Sequence, residues 1–408
     1  MTSDETAISS GFADNPSGCD FATNGTTPSC SGPLPGSTFA GGDGNLMTTP
    51  TTFGTTDWQN VTGLNQGIDL PSGNTDNSFK GSKEDDPNVT VATSSVSSTV
   101  DITRFYEASE STGGHNLLYL AWERAGTSGT ANLDFEINQL PTPGLGNPGN
   151  HTINRTTGDL LVTFDFNNGG GSPSLALLSW LPLGPCFSNS SAPPCWGNEQ
   201  SLNGTNAIGA VNNLDAVTDP LQSPAASLPA ETFGEAAIDL TAARAFAPGV
   251  CNVFRSAFAK SRNSTTFSAT LADLVAPINV SFTNCGTINV HKATENGDSI
   301  FGYTTSGGLS PPTFDLSNGQ TRSYGPNTVL AGAYSVTESS LPSGWTLRSL
   351  VCTASGDGTS VTSGGAIASI TMAPQGVVDC TYTNHVRPSP TITTALSPPS
   401  AALWWGRL

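Results

Sequence analysis

The chain has 408 residues, of which only 11% are charged, against roughly 25% in an average soluble protein. It carries 32 Asp and Glu but 14 Lys and Arg, and no basic run, which argues against nucleic-acid binding. A composition rich in Ser, Thr, Asn and Gly argues against coiled coils and long helical bundles, and the length predicts two or three domains.

Residues 1–45 are predicted to be a poorly ordered lead-in, because they contain many Gly, Ser, Pro and Thr and few apolar residues. The start, MTSDETAISS, has neither the basic nor the apolar region of a secretory signal peptide. No apolar run is long enough to predict a membrane span. We therefore interpret the chain as a fragment, a processed form or a mis-called start of an extracellular protein.

Residues 46–285 are predicted to form an antiparallel, jelly-roll-like β-sandwich. Apolar and polar residues alternate in ANLDFEIN (131–138) and LLVTFDFN (160–167), and Leu118, Leu120 and Trp122 share a face in HNLLYLAWER (115–124). Alternation with period two is typical of strands with one buried and one solvent-facing side. The segments between them are rich in Gly, Asn and Pro, as turns require.

Two stretches of this region depart from the strand pattern. Phe254 and Phe258 are four residues apart, which predicts a helix over about 251–261. Residues 186–232 are predicted to be one long loop, and long loops in compact domains are often functional.

The even number of cysteines, eight, predicts disulfide bonds formed in an oxidising compartment. Proximity in the sequence suggests the following pairs: Cys19–Cys30, Cys186–Cys195, Cys251–Cys285 and Cys352–Cys380. Spacing alone does not prove this pairing. Because no CxxC motif or Cys/His cluster occurs, the sequence predicts no zinc site, and it indicates no cofactor.

Residues 286–386 are predicted to form a second, smaller β-sandwich. Strand-like segments recur about every dozen residues, with Gly, Pro and Asn between them. They are TINVHK, PPTFDLSNG, AYSVTES, SLVCTAS, IASITM and VVDCTYTN. Residues 387–408 are predicted to be a Pro/Ser/Thr-rich tail.

Three polar residues of this second unit occupy strand positions that otherwise face a core. Lys292 follows Ile288 and Val290 at spacings of two; Glu338 follows a Tyr and a Val in the same way, and Asn384 follows a Cys and a Tyr. Residues two apart in a strand point to the same face. Because an unpaired buried charge is very costly, we expect the three side chains to meet.

The same segments resemble the prealbumin-like repeat of Gram-positive surface proteins and pilins, known as the SpaA-like or collagen-adhesin B-type fold. The resemblance rests on INVHK, on Phe314 and Leu316, on GAYSVTESSLPSGW at 332–345 and on the closing TYTN. It covers about a hundred residues. Residues 79–89 and 233–285 resemble, more weakly, the leading region of secreted multi-repeat bacterial surface proteins.

The resemblance implies an intramolecular isopeptide bond. Lys292 would be the nucleophile, Asn384 the acceptor and Glu338 the proton shuttle. Burial disfavours the charged forms of both lysine and carboxylate, which suits attack of an amine on an amide. The alternative is that the lysine reaches solvent and the other two residues lie at a strand end and a turn. A Cys352–Cys380 disulfide could also supply the covalent staple instead.

Other polar and aromatic residues suggest a binding or catalytic role for residues 46–285. Glycosidases use two carboxyls in a cleft, and the candidates here are Glu123, Asp134, Glu136 and Asp165. The favoured interpretation of these four is a solvated outer sheet face. The Glu84-Asp85-Asp86 run is interpreted as a solvated acidic turn rather than a calcium loop. Trp196, beside Cys195, is the best candidate for an exposed, ligand-binding aromatic side chain.

The sequence therefore predicts an all-β, non-enzymatic, extracellular or cell-surface protein with a structural or adhesin-like role. Its partner would be a host or environmental glycan or protein. The alternative is a secreted carbohydrate-binding or carbohydrate-cleaving domain at 46–285, carried on the C-terminal module.

Overall fold

The computed structural model describes the following parts of the chain: Leu46 and residues 57–69, 76–127, 129–166, 173–188, 192–202, 206–212 and 216–387. All regular elements in these ranges are β-strands, which confirms the all-β prediction. Within the same ranges, no helix long and apolar enough to cross a membrane occurs. The predicted lead-in, the tail beyond residue 387 and the Cys19–Cys30 pair lie outside the described residues.

The strands before residue 284 pair only among themselves, and we refer to them as the N-terminal unit. They are β1 (Asn65–Ile68), β2 (Asn77–Phe79), β3 (Asn88–Thr93), β4 (Ile102–Thr112), β5 (His115–Arg124), β6 (Ala131–Asn138), β7 (Gly149–Thr152), β8 (Leu160–Phe166), β9 (Ser174–Leu181), β10 (Cys195–Trp196), β11 (Gln200–Leu202), β12 (Ala207–Val211), β13 (Val217–Asp219), β14 (Ala226–Leu228), β15 (Phe233–Asp239), β16 (Val253–Arg262) and β17 (Leu271–Thr283).

The strands after residue 284 also pair only among themselves, and we refer to them as the C-terminal unit. They are β18 (Cys285–Glu295), β19 (Phe301–Ser306), β20 (Thr313–Leu316), β21 (Thr321–Leu330), β22 (Gly332–Ser340), β23 (Trp345–Ser355), β24 (Ser360–Gly364), β25 (Ile367–Met372) and β26 (Val377–Val386). The sequence patterns did not predict β19, β21 or β24.

Two large sheets and a two-stranded one, β13-β14, build the N-terminal unit. One large sheet has five strands in the order β1-β4-β5-β15-β12, and the other has ten, in the order β10-β9-β8-β6-β16-β17-β2-β3-β7 with β11 beside β9. Their core includes Trp122, Phe135 and Phe164, and the Trp122 and Phe164 rings meet edge to face at 5.6 Å. This arrangement is a sandwich, as the alternating segments predict.

The ten-stranded sheet is covered on both of its faces. Every residue of β6 is buried, although Asn132, Asp134 and Glu136 alternate with its apolar residues. The prediction of a solvent-facing side was therefore wrong for this strand. The outer face is covered by a second apolar cluster, which comprises Leu161, Leu178, Trp180, Trp196 and Phe267.

The helix predicted at 251–261 is also wrong, because these residues belong largely to β16. A register shift against β17 falls between Phe254 and Ser256. Phe254 packs in the core between the sheets, whereas Phe258 packs in a separate cluster. The spacing of four thus reflects an irregular strand. The long loop predicted at 186–232 likewise contains the short strands β10 to β14.

The two units are joined by a single residue, Asn284, between β17 and β18. Its side chain accepts a hydrogen bond from the Asn252 amide at 2.8 Å and donates one to the Val250 carbonyl at 2.8 Å. A disulfide between Cys251 and Cys285 lies beside it, with the Cα atoms 5.7 Å apart. The junction is therefore fixed by both covalent and polar contacts.

Two sheets also build the C-terminal unit, in the orders β21-β18-β26-β23 and β20-β19-β22-β25-β24. The first and last strands, β18 and β26, are neighbours and run parallel, whereas the other pairings in the unit are antiparallel. Their inward residues form a core with β19, β22 and β25. The inward side chains of β18 and β26 therefore lie side by side in one sheet and face those of β22 in the other sheet.

Candidate cross-linking site

The three polar residues that the sequence places on core-facing positions lie together in the C-terminal unit. Lys292 is on β18 and Asn384 on β26, and Glu338 comes from β22 in the facing sheet. Lys292 is 2% exposed, Glu338 5% and Asn384 0%. In the parallel register, Lys292 is opposite Tyr382, so Asn384 is two residues further along and its side chain is on the same face.

The contacts among these side chains form a closed triangle. Lys292 Nζ donates a hydrogen bond to Asn384 Oδ1. It also lies 3.1 Å from Glu338 Oε1. Asn384 Nδ2 donates to the other carboxylate oxygen, Glu338 Oε2, at 3.0 Å. One carboxylate therefore bridges the amine and the amide nitrogen.

Aromatic rings and one hydroxyl enclose the triangle. Lys292 Nζ lies 3.9 Å from the centre of the Phe301 ring, and Tyr303 donates to Glu338 Oε1 at 3.3 Å. The rings of Tyr303 and Tyr382 meet edge to face at 5.2 Å. These walls keep water from the three polar groups.

Burial lowers the pKa of Lys292, although Glu338 opposes the shift. A lower pKa makes the neutral amine, which is the nucleophilic form, easier to reach. The site thus combines an amine with reduced proton affinity, an amide within contact distance and a carboxylate that touches both nitrogens. Such an arrangement is suited to transfer of the amide carbonyl from one nitrogen to another.

Both units also contain disulfide bonds. In the described residues the bonds join Cys186 to Cys195, Cys251 to Cys285 and Cys352 to Cys380, and no free cysteine is found there. These are the neighbours that proximity in the sequence suggests. Cys352–Cys380 joins β23 to β26 in the same unit as the triangle.

The Trp196 side chain is fully buried. Its indole nitrogen donates to the Glu84 carbonyl at 3.0 Å, and its ring meets that of Trp180 edge to face at 5.2 Å. The prediction of an exposed aromatic platform was therefore wrong. The disulfide beside Trp196 fixes the loop against the sheet instead of exposing it.

The acidic residues proposed as a solvated face or as a glycosidase pair are largely buried and paired with cations. Asp134 and Asp165 contact Arg262 at 2.6 and 2.8 Å, while Glu136 contacts Arg155 at 2.7 Å. Glu123 is 3% exposed. The solvated-face prediction was wrong for Glu123, Asp134 and Glu136, which are buried, whereas Asp165 is half-buried.

The acidic turn predicted at residues 84–86 is only partly correct, because Glu84 is fully buried. Its Oε2 lies 2.6 Å from Lys260 Nζ, which lies at the same distance from Glu136 Oε2. Burial raises the pKa of Glu84 to about 8. Burial would also raise the pKa of Glu136, but Arg155 and Lys260 lower it to about 2.

Sequence reasoning missed this buried charge cluster, because the ion-pair partners come from separate strands. A signal was present in the composition. The chain has only four lysines. Lys260 follows Phe258 by two residues, so in a strand it would share the face of that ring and need a partner if it were buried.

The comparisons with known proteins identify the fold family of the C-terminal unit. Residues 288–386 match the SpaA-type family described as a prealbumin-like fold domain. This part of the chain is therefore a SpaA-like, prealbumin-like fold domain, which confirms the resemblance seen in the sequence. No curated protein matches the chain.

Among solved structures, the chain is similar to a bacterial adhesin from Mobiluncus mulieris that contains intramolecular disulfide, isopeptide and ester bond cross-links. The identity is 8% over 66% of this chain and 91% of the adhesin, with a TM-score of 0.22. The major pilin T-13 of Streptococcus pyogenes matches at 10% identity over 64% and 90% of the two chains, with a TM-score of 0.18. The pilus adhesin SpaC of Lactobacillus rhamnosus GG matches at 8% identity over 62% and 29%, with a TM-score of 0.17.

Proposed function

We propose that the chain is a non-enzymatic structural or adhesin-like protein of the extracellular surface, whose C-terminal unit cross-links itself through a Lys292–Asn384 isopeptide bond. The observation that carries this proposal is the buried triangle in which Glu338 contacts both the amine and the amide nitrogen. The disulfides and the prealbumin-like fold support the extracellular setting.

The proposed reaction is a transamidation that balances without any co-reactant. Glu338 first accepts a proton from the Lys292 ammonium group, and the neutral Nζ attacks Cγ of Asn384. The new C–N bond forms as the bond to Nδ2 breaks, and Glu338 passes a proton to the departing nitrogen. Nζ then gives its second proton to Glu338, so that ammonia is released and Glu338 ends protonated.

The mass of the intact, fully reduced chain tests the proposal directly. Reduction removes the contribution of disulfides, so the only expected difference from the sequence mass is the loss of one ammonia molecule. Peptide mapping should also recover a branched peptide in which Lys292 is joined to Asn384. A chain with the full sequence mass would refute the isopeptide bond.

Matched variants separate the reaction from simple packing. Glu338→Gln keeps the lysine and the asparagine but removes the proton acceptor, so it should have the full mass. Asn289→Ala provides a control on the same strand, because Asn289 contacts Asp379 at 2.9 Å rather than the triangle. This control should lose ammonia as the wild-type chain does.

The structural role is tested separately by protease resistance. If covalent bonds maintain the folded units outside the cell, Asn384→Ala and the reduced chain should both be digested faster than the oxidised wild-type chain. Equal digestion of all three forms would contradict a role based on covalent stabilisation. A glycan array then tests whether the N-terminal unit recognises an external ligand.

A further inference from the structure

A second group of acidic residues, buried or half-buried, lies in the N-terminal unit. Four aspartates converge where strands begin and end. Asp69 directly follows β1, Asp76 directly precedes β2, Asp101 directly precedes β4 and Asp273 is the third residue of β17. Carboxylate oxygens of Asp69, Asp76 and Asp273 lie within 4.8 Å of one another.

The backbone fixes these positions before any ligand is considered. The Asp69 amide donates to the Thr103 carbonyl at 3.0 Å, and Asp273 Oδ2 accepts from the Ile102 amide at 2.6 Å. Asp273 is also paired with Ser78, two residues after Asp76. Three strand ends are thereby held around one point.

Carboxylate oxygens in this group lack the hydrogen bonds that burial normally demands. Asp76 is 1% exposed, and neither of its side-chain oxygens accepts a hydrogen bond of normal geometry. Asp273 is 0% exposed, and its Oδ1 has no partner either. Unsatisfied buried carboxylates are among the most costly groups in a protein, so their orientation toward one another calls for a positive ligand.

The four aspartates repel one another when they are charged. Burial raises the pKa of Asp76 to about 7, and repulsion from Asp101 and Asp69 adds to the shift. Burial raises the pKa of Asp273 well above its usual value, with further contributions from the other three aspartates. A divalent cation would turn this mutual repulsion into attraction.

We propose that Asp69, Asp76 and Asp273 form a calcium site that ties β1 and β2 to β17, with Asp101 adding negative charge nearby. Hard oxygen ligands favour calcium or magnesium over transition metals. Calcium fits better, because it accepts six to eight oxygens in flexible geometry. Magnesium demands a near-ideal octahedron of ligands, whereas calcium accepts carboxylates at the positions that the strand ends impose. This site is independent of the isopeptide bond.

Calcium titration of the chelator-treated full chain tests the proposal. Calorimetric titration should show one calcium bound per chain. Saturating calcium should raise the unfolding temperature of the N-terminal unit by about 5–10 °C, as expected when a ligand is present at roughly a hundred times its Kd. Magnesium at the same concentration should produce a clearly smaller rise. An absence of calcium binding, or an equal response to magnesium, would overturn the calcium assignment.

Charge-neutral variants locate the site. Asp76→Asn should weaken calcium binding at least tenfold, and without calcium it should unfold at the same or a higher temperature than the wild-type chain, because one repulsive charge is gone. Asp273→Asn should also lose the calcium response. Asp315→Asn, at an exposed position of the C-terminal unit, should keep it.

Unchanged calcium affinity in Asp76→Asn would overturn the proposed location. If Asp273→Asn fails to fold because its bond to Ile102 is weakened, Asp76→Asn and the wild-type titration still decide the question. The covalent mass of the denatured chain should be identical after treatment with and without calcium, which keeps this test separate from that of the cross-link.

Discussion

Lys260 in the N-terminal unit and Lys292 in the C-terminal unit are both buried, yet they have different partners. Lys260 lies between two carboxylates, Glu84 and Glu136, at 2.6 Å from each. Lys292 faces one carboxylate and the amide of Asn384. Together they account for half of the lysines in the chain.

The partner, rather than burial itself, decides what a buried lysine can do. Between two carboxylates, Lys260 serves as the counter-charge of a network that also includes Arg155. Beside an amide, Lys292 meets a carbon that an amine can attack and a nitrogen that can leave once it is protonated. We therefore expect stabilisation by charge at the first site and covalent chemistry at the second.

The largest expected effect is the loss of the proposed cross-link in Asn384→Ala. The bond would join residues 92 positions apart, and closing a loop of that size stabilises a fold by about 4–5 kcal/mol in the chain-entropy account. Chemical denaturation of the C-terminal unit measures the difference. A loss of only about 1–2 kcal/mol, the value of the hydrogen bonds alone, would contradict a covalent bond.

A slightly smaller effect is expected for Lys260→Met. The substitution fills similar space but leaves Glu84 and Glu136 buried without their shared cation, at a cost of about 3–5 kcal/mol. The variant should still lose one ammonia molecule, because Lys260 takes no part in the proposed cross-link. Lys80→Met, at an exposed lysine, is the matched control and should change stability by less than about 0.5 kcal/mol.

The charge cluster around Lys260 should also make stability depend on pH. Because the pKa of Glu84 is raised to about 8 in the folded state, the folded chain holds a proton that the unfolded chain releases above its ordinary value near 4.5. Stability contributed by this group is therefore present below pH 4.5 and is lost as the pH rises to about 8. The slope is at most about 1.4 kcal/mol per pH unit.

Denaturation midpoints measured from pH 5 to pH 8 in the wild-type chain and in Glu84→Gln test this slope. The variant should show a flatter profile, because the amide does not titrate. Glu107 and Glu123 have pKa values raised mainly by burial, to about 7 and about 8, and should leave a residual slope in the same direction. A profile that rises with pH, or one unchanged by the variant, would contradict the assignment.

The smallest expected effect is that of Tyr303→Phe. It removes the hydroxyl that donates to Glu338 at 3.3 Å, which should cost about 1 kcal/mol, while the ammonia loss remains complete. Tyr324→Phe, which loses a bond to the Pro311 carbonyl at 2.8 Å, is the matched control. A Tyr303→Phe chain with full mass would show that the hydroxyl is essential to the reaction.

Local alternation in the sequence was enough to predict the strands that carry the candidate site. The period-two patterns around Lys292, Glu338 and Asn384 predict that all three face a core, and the structure brings them into contact. Which residues of a strand share a face depends on only a few consecutive positions, so it can be predicted without knowing the fold. Whether the bond forms remains a prediction.

What the sequence could not predict depends on contacts between distant segments. The burial of Asp134 follows from Arg262, whose side chain arrives from a neighbouring strand. The register shift near Phe254 made a strand resemble a helix. The aspartates of the proposed calcium site span residues 69 to 273, so no local motif reveals them.

The parallel pairing of β18 and β26 determines how the C-terminal unit would carry tension. A pull applied at residues 285 and 386 loads the hydrogen bonds between these two strands in shear, so many must break together instead of opening one after another. A covalent connection from Lys292 to Asn384 would pass the force directly between the strands. Residues 293–383 would then lie outside the force-bearing path.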